Sequence, residues 1–297
     1  MYSTQLRKDS GEALFLARQL EYIIPQVYRK KYPIHKARIH FPPNFTGGKG
    51  LVTITHRMLD RRGRAAVGLG FPRVTLAQKE YYTQVKPLTA GYSYNIMDIH
   101  RAMQANMPLE VESAYAAKMV ISELEDRLAY IGDEEANLNG AFNSREVAIQ
   151  VAEYPISPAS TPDQIIQVIN KAINTAPILS LGVEQVNYVI MGVPQYTHIS
   201  TTPRSNLTDT TILEYLQKAH PDVIFDWCNH CTGAGIGGSD VMFCYSRSED
   251  SVQLMIPSDF EQLPVVQTEN AEFVTNCIEY FGGVKFIYAS AVLVVGV

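Results

Sequence analysis

The sequence predicts an α+β fold, and three patterns carry that prediction. Residues 51–88 alternate like a long hairpin but hold too few apolar residues to be buried along their length. Residues 107–131 carry a helical stripe, the longest in the chain. Short apolar runs between residues 186 and 295 read as buried strands.

Ser10-Gly-Glu12 starts a helix whose apolar face runs through Leu14, Phe15, Leu20, Ile23, Ile24 and Val27, interrupted by Pro25. Pro33, Pro42, Pro43, Gly47, Gly48 and Gly50 then make 33–50 irregular, so residues 1–50 read as an arm. In 51–60, Val52, Ile54 and Met58 alternate with Thr53, Thr55 and Arg57. A tip with Arg61, Arg62, Gly63, Arg64, Gly68 and Gly70 follows, and a polar return strand over 74–86 stops at Pro87. Such arms reach roughly 50 Å at ~3.3 Å per residue. A compact chain of this size has a radius of gyration of only ~19 Å, so the hairpin is expected to project.

In the long helix, Asn106 is the cap, Pro108 lies in the first turn, and Ala114, Ala117, Val120, Leu124, Leu128 and Ile131 form the stripe. Glu110, Glu112, Glu123, Glu125 and Asp126 lie off it and are expected to face solvent or a partner. Gly132 ends the helix. Residues 155–158 mark a boundary. Thr161-Pro-Asp163 caps a helix reaching Ala176, and Thr208 or Asp209 caps another reaching His220. Strands are expected over 186–191, 223–227 and 241–247, the last two around a glycine-rich loop, and over 254–257, 273–280 and 284–295.

Length and composition exclude several classes. The 297 residues are 46% hydrophobic and 19% charged, enough for one large domain or two ordinary ones. No charged start leads into an apolar run, so no signal peptide is expected. The longest apolar tract, 286–297, is short of the ~20 residues of a bilayer span. Four Cys without secretory context read as reduced thiols. Membrane, disulfide-rich, fibrous and disordered classes drop out. The net charge of −5 hides a division: residues 1–90 hold 16 Lys and Arg against 5 Asp and Glu, leaving 9 against 25 in 91–297. A basic first third either binds nucleic acid or lies on the acidic body of an identical neighbour, and the neighbour explains both halves.

Motifs with chemistry fail on context. Trp227-Cys-Asn-His-Cys231 has thioredoxin-like spacing, but the glycines after it cannot start the helix that would lower a thiol pKa. Cys228, His230 and Cys231 are a partial zinc set without a second pair, since Cys244 and Cys277 are single. Gly233-Ala-Gly-Ile-Gly-Gly238 matches G-x-G-x-x-G, yet a strand pattern follows where a dinucleotide fold needs a helix. His198, Ser200 and Asp209 lack a nucleophile elbow. The long helix's carboxylates read as solvated or ion-paired. The Arg-rich tip has no aromatic between residues 57 and 70, which weakens single-strand binding. No catalytic, cofactor-binding or metal residues are assigned.

The order of arm, projecting basic hairpin, long acidic helix, mixed α/β block and closing strands resembles the major capsid proteins of tailed double-stranded DNA bacteriophages. Local strings are similar to one subfamily: Ala17-Arg-Gln-Leu-Glu21, Thr201-Thr-Pro-Arg-Ser205 with Asp209-Thr-Thr-Ile-Leu-Glu-Tyr-Leu216, Gly233-Ala-Gly235, and Ile256-Pro-Ser-Asp-Phe-Glu-Gln-Leu-Pro264. The resemblance implies the phage major-capsid fold, which encapsulins share. It makes residues 1–50 the N-terminal arm, 51–88 the extended loop, 89–155 with 252–297 the peripheral domain around the 107–131 spine helix, and 156–251 the axial domain. It further implies a non-enzymatic protein of the virion, assembled in the host bacterial cytoplasm. Hexamers and pentamers of the chain would close an icosahedral shell around packaged DNA, held by non-specific contacts and no membrane. A separate scaffolding protein or none is implied, a portal and a decoration protein are further partners, and no motif supports an isopeptide crosslink. An encapsulin-type compartment and a nucleic-acid-binding protein using residues 1–90 remain alternatives.

Charge and resemblance together give two expectations. Arg57, Arg61, Arg62 and Arg64 should lie over a neighbour's spine helix and pair with Glu112, Glu123, Glu125 or Asp126. The loop holding Gly233, Gly235, Gly237 and Gly238 should lie near the capsomer axis, where small residues tolerate five- and six-fold crowding.

Overall fold

The alternation in residues 51–86 becomes an antiparallel hairpin in the computed structural model, which describes residues 33–62, 75–105, 109–205, 208–268, 272–288 and 291–297. Thr53–Arg62 pairs with Thr75–Gln84, placing Arg57 opposite Glu80 and Leu59 opposite Gln78. One face, with Thr55, Arg57, Leu59, Leu76, Glu80 and Tyr82, is exposed throughout, while Ile54, His56 and Met58 on the other are half-buried. That second face corrects the freely projecting hairpin. His56–Leu59 and Tyr81 of the hairpin line an open cavity of about 370 Å³ with Glu146 and segment 285–288, and Lys285 Nζ lies 5.0 Å from the centre of the Tyr81 ring.

A strand and a helix absent from the sequence reading follow. Lys86–Asn95 pairs along its whole length with Glu272–Phe281, and Ile96–Ala105 is helical. Pro87 sits inside that strand, opposite Tyr280. The position is an edge, where the missing N–H leaves no ladder bond unmade. Ser258–Gln262 and Val266–Gln267 complete the sheet on the other side of Glu272–Phe281.

The long helix runs Leu109–Ile131; its expected caps, Asn106 and Pro108, lie outside the described residues, as does the helix expected over 10–27. Its buried stripe is rotated from the expected one. Ala117, Ile121 and Leu128 are buried, with Glu125 and Asp126 beside them, whereas Val120, Leu124 and Ile131 are exposed. Gly132 ends it in the left-handed region (φ 74°), its N–H donating to the Leu128 oxygen at 2.9 Å.

The apolar runs form a mixed five-stranded sheet in the order Ala148–Val151, Ala291–Val295, Val241–Tyr245, Tyr188–Met191, Ile224–Trp227. The three central strands are buried at every position on both faces, which explains why they read as unbroken apolar runs. Ile190, Phe243 and Leu293 join the core that contains Ile121 and Leu128 of the long helix. Val189, Met242 and Val294 pack with Ile165, Ile169 and Ile173 of the helix Pro162–Leu179. Thr161 caps that helix in a capping box, as expected; Thr211, not Thr208 or Asp209, caps Ile212–Ala219.

The structure differs from the expected division at both ends. The compact unit begins at His35, because Ala37, His40 and Phe41 are buried and Pro43–Asn44 pairs with Leu254–Met255. Residues 35–44 of the expected arm therefore belong to the body. At the other end, 284–295 is two strands. Gly283–Phe286 pairs with Val252–Met255, but Ala291–Val295 lies inside the sheet of the 156–251 block.

Candidate functional site: assembly surfaces

The described charges of the long helix divide into an inner and an outer set. Glu125 and Asp126 are 3% and 5% exposed and are satisfied inside the chain. Arg38 holds Glu125 through Nε and Nη2, both at 2.8 Å, and its Nη2 also reaches Asp259 at 2.9 Å and Glu279 at 3.2 Å. Asp126 accepts from the Ala37 N–H at 2.8 Å and from His230 Nε2 at 3.0 Å. The expectation that these two carboxylates meet a neighbour's arginines is overturned, because turning them outward would leave Arg38 and His230 without these partners. Glu123 is exposed and Glu112 partly so.

A second, partly buried network ties the same entering segment to the sheet. Lys36 Nζ bonds Asp226 at 2.6 Å and lies 3.5 Å from the Trp227 ring centre, and His40 Nε2 donates to Asp226 at 3.1 Å. With Nε2 donating, His40 Nδ1 accepts from the Tyr130 hydroxyl. Burial pushes the Asp226 carboxyl up, but the hydrogen bonds from Lys36, the Trp227 N–H and His40 outweigh it and hold it below its ordinary value. Burial keeps the His40 imidazole neutral to lower pH. The Asp126 bond raises His230. Sequence reasoning missed Lys36, Arg38 and His40, which lay in a stretch assigned to an irregular arm.

Of the hairpin arginines, Arg57 is exposed and its Nε reaches Glu80 of its own hairpin at 3.1 Å. Arg61 and Arg62 occupy the end of Thr53–Arg62, and Arg64 lies outside the described residues. The exposed face carries Leu59, Leu76 and Tyr82, each 63–66% exposed, between the charges.

The glycine loop has reasons within the chain. Gly233, Gly237 and Gly238 all have φ between 70° and 78°, which side chains disfavour. A Cβ on Gly235 would come within 2.4 Å of Ser239 Oγ and 2.8 Å of Val295. A short 3₁₀ turn, Ile236–Gly238, and then the strand Val241–Tyr245 follow, so the loop lacks the helix that a pyrophosphate would need.

The remaining motifs make structural contacts. Cys228 and Cys231 are buried free thiols, as are Cys244 and Cys277. Cys228 caps the 3₁₀ turn Asn229–Cys231, its Sγ accepting from the His230 N–H at 3.4 Å. A hydrogen bond from Cys231 lowers the Cys228 thiol, and burial raises Cys231 well above its ordinary value. Among the described residues no three His, Cys, Asp or Glu side chains form a metal-holding group. His198 pairs with Thr202, and Ser200 donates to the Thr197 oxygen. No helix among the described residues is long and apolar enough to cross a membrane.

The model of a protein family described as "Major capsid protein" matches residues 69–296. No curated protein matches the chain. The capsid of Myoviridae phage XM1 superposes with a TM-score of 0.83 at 18% identity, over 95% of this chain and 98% of that one. A chain of Mycobacterium phage Adephagia gives 0.66 at 11% identity, over 97% and 98%. The virus-like particle from Pyrococcus furiosus gives 0.57 at 12% identity, over 86% and 90%. An encapsulin-type compartment is therefore not the favoured reading.

Proposed function

The chain belongs to the major capsid protein family and is a structural subunit of a viral capsid, and we propose that it works as hexamers and pentamers that close an icosahedral shell around double-stranded DNA. The family match over residues 69–296 carries this reading. The exposed hairpin face supports it, since Leu59, Leu76 and Tyr82 lie open to a partner beside Arg57. Its proposed partner is the outer face of a neighbour's Leu109–Ile131, where exposed Val120, Leu124 and Ile131 accompany Glu112 and Glu123. Arg57, Arg61, Arg62 and Arg64 would pair there with Glu112 and Glu123 alone. Each exposed pair contributes only ~0–1 kcal/mol, so these charges set register more than strength.

The finer parts of the reading are proposals of the same kind. The division into arm, extended loop, peripheral domain and axial domain is proposed with its boundaries, except that 35–44 join the body and both 148–151 and 291–295 join the sheet of the axial block. The loop with Gly233, Gly235, Gly237 and Gly238 is proposed for the capsomer axis, although its glycines need no such reason. We assign no catalytic step. Assembly in the host cytoplasm, a separate scaffolding protein or none, a portal, a decoration protein and non-specific contacts to DNA complete the proposal.

Sedimentation velocity of the full chain expressed alone, at moderate salt, tests it. The expected result is a fast boundary of many-copy particles. A chain that stays monomeric and binds DNA with steeply salt-dependent affinity would instead make the basic residues 1–90 a nucleic-acid-binding region.

A further inference from the structure

We propose that the turn closing the helix Pro162–Leu179 is a self-association knob, whose apolar side chains pack on the same turn of another copy of this chain across a rotation axis of the shell. The inference rests on the capsid reading and adds a contact to it. Within six residues Ile178, Leu179, Leu181 and Val183 are 71%, 55%, 93% and 77% exposed. One exposed leucine is ordinary on a protein surface, whereas a contiguous apolar tip marks an interaction site.

The tip is built, not frayed. The Ser180 N–H donates to the Ala176 oxygen at 2.9 Å, the Gly182 N–H to the Pro177 oxygen at 2.8 Å, and the Glu184 N–H to Ser180 Oγ at 3.0 Å. Leu181 and Gly182 follow one another in the left-handed region, with φ of 54° and 82°. A leucine is disfavoured there by its Cβ, and this one is held outward where its own chain gives it almost no burial.

The charge pattern identifies the occupant. No charged residue stands between Lys171 and Glu184 in a chain that is 19% charged. A residue close to a rotation axis faces its own copies, so a charge there meets its like, while a neutral apolar residue meets a match. The hairpin face, with its arginines, needs a partner of opposite sign; the knob fits itself. Glu184, the first charge after it, is engaged by its own chain, its carboxylate accepting from Ser251 Oγ at 2.9 Å. The knob leads into the Tyr188 end of the five-stranded sheet, and the glycine loop leaves from the Met191 and Trp227 end. The two therefore serve different contacts.

Leu181→Cys in the full chain tests the idea, since the four native cysteines are buried. Assembled particles are treated with tetrathionate and run on a non-reducing gel. A covalent dimer as the major band is expected. A second variant, Leu181→Asp with Val183→Asp, should keep the wild-type melting temperature of the monomer and lower particle yield roughly tenfold or more. Particles of Leu181→Cys without the dimer, or wild-type yield from the double variant, would overturn the knob and leave the capsid reading standing. Absence of particles from the wild-type chain would overturn the reading that the chain closes shells by itself, on which the knob rests.

Discussion

Arg38 serves three carboxylates, two of them buried, and the surplus negative charge falls on Glu279. Burial, and then the neighbouring Glu125 charge, push the Glu279 carboxyl up to about 8, while Arg38 pulls it the other way. Its ordinary value is 4.5, so between these two pH values the folded chain holds a proton that the unfolded chain has released. The contribution to stability is full below pH 4.5 and is lost as pH rises through 8. Urea unfolding of the wild type at pH 5 and at pH 8 should show a fall in stability that Glu279→Gln reduces. An equal fall in both proteins would assign the pH dependence to other groups. The same cluster shows where the sequence was illegible. Glu125 lies 87 residues from Arg38, and Asp126 lies 104 from His230, so nothing local marks either carboxylate as internal. Reading them as outward followed from a stripe drawn through Val120 and Leu124, which the fold leaves exposed.

Elements were legible where burial is two-sided or alternation is regular. The strands Tyr188–Met191 and Val241–Tyr245 are apolar at every position because helices and core cover both faces. The hairpin announced itself by period two, and its exposed and half-buried faces follow that period. Lys86–Asn95 was missed because Pro87 reads as a stop, although an edge strand tolerates it. The hairpin also carries the assembly prediction at this scale. Arg61→Glu with Arg62→Glu turns attractions toward a neighbour's Glu112 and Glu123 into repulsions, a change of up to about 2 kcal/mol per contact that is repeated at every contact of the shell. Particle yield should collapse while the circular dichroism of the monomer is unchanged. Normal particles from this variant would remove the proposed pairing.

Across the whole molecule, the basic first third is only partly available to partners. Lys36 and Arg38 are committed to Asp226 and Glu125 inside the body, whereas Arg57 stands on an exposed hairpin face. The division of charge visible in the sequence therefore holds the chain's own entering segment as well as any contact between copies. Function was legible only through the order of elements and a few strings, because contacts between copies leave no short motif in a single chain. Its chemistry lies in surfaces, and a surface shows only once the fold has decided which side chains remain outside. Electron microscopy of the full chain, expressed alone and purified by size exclusion at moderate salt, tests the central claim most directly. Closed shells of uniform diameter are the predicted result. A field of dispersed monomers under those conditions would contradict shell closure by the chain alone.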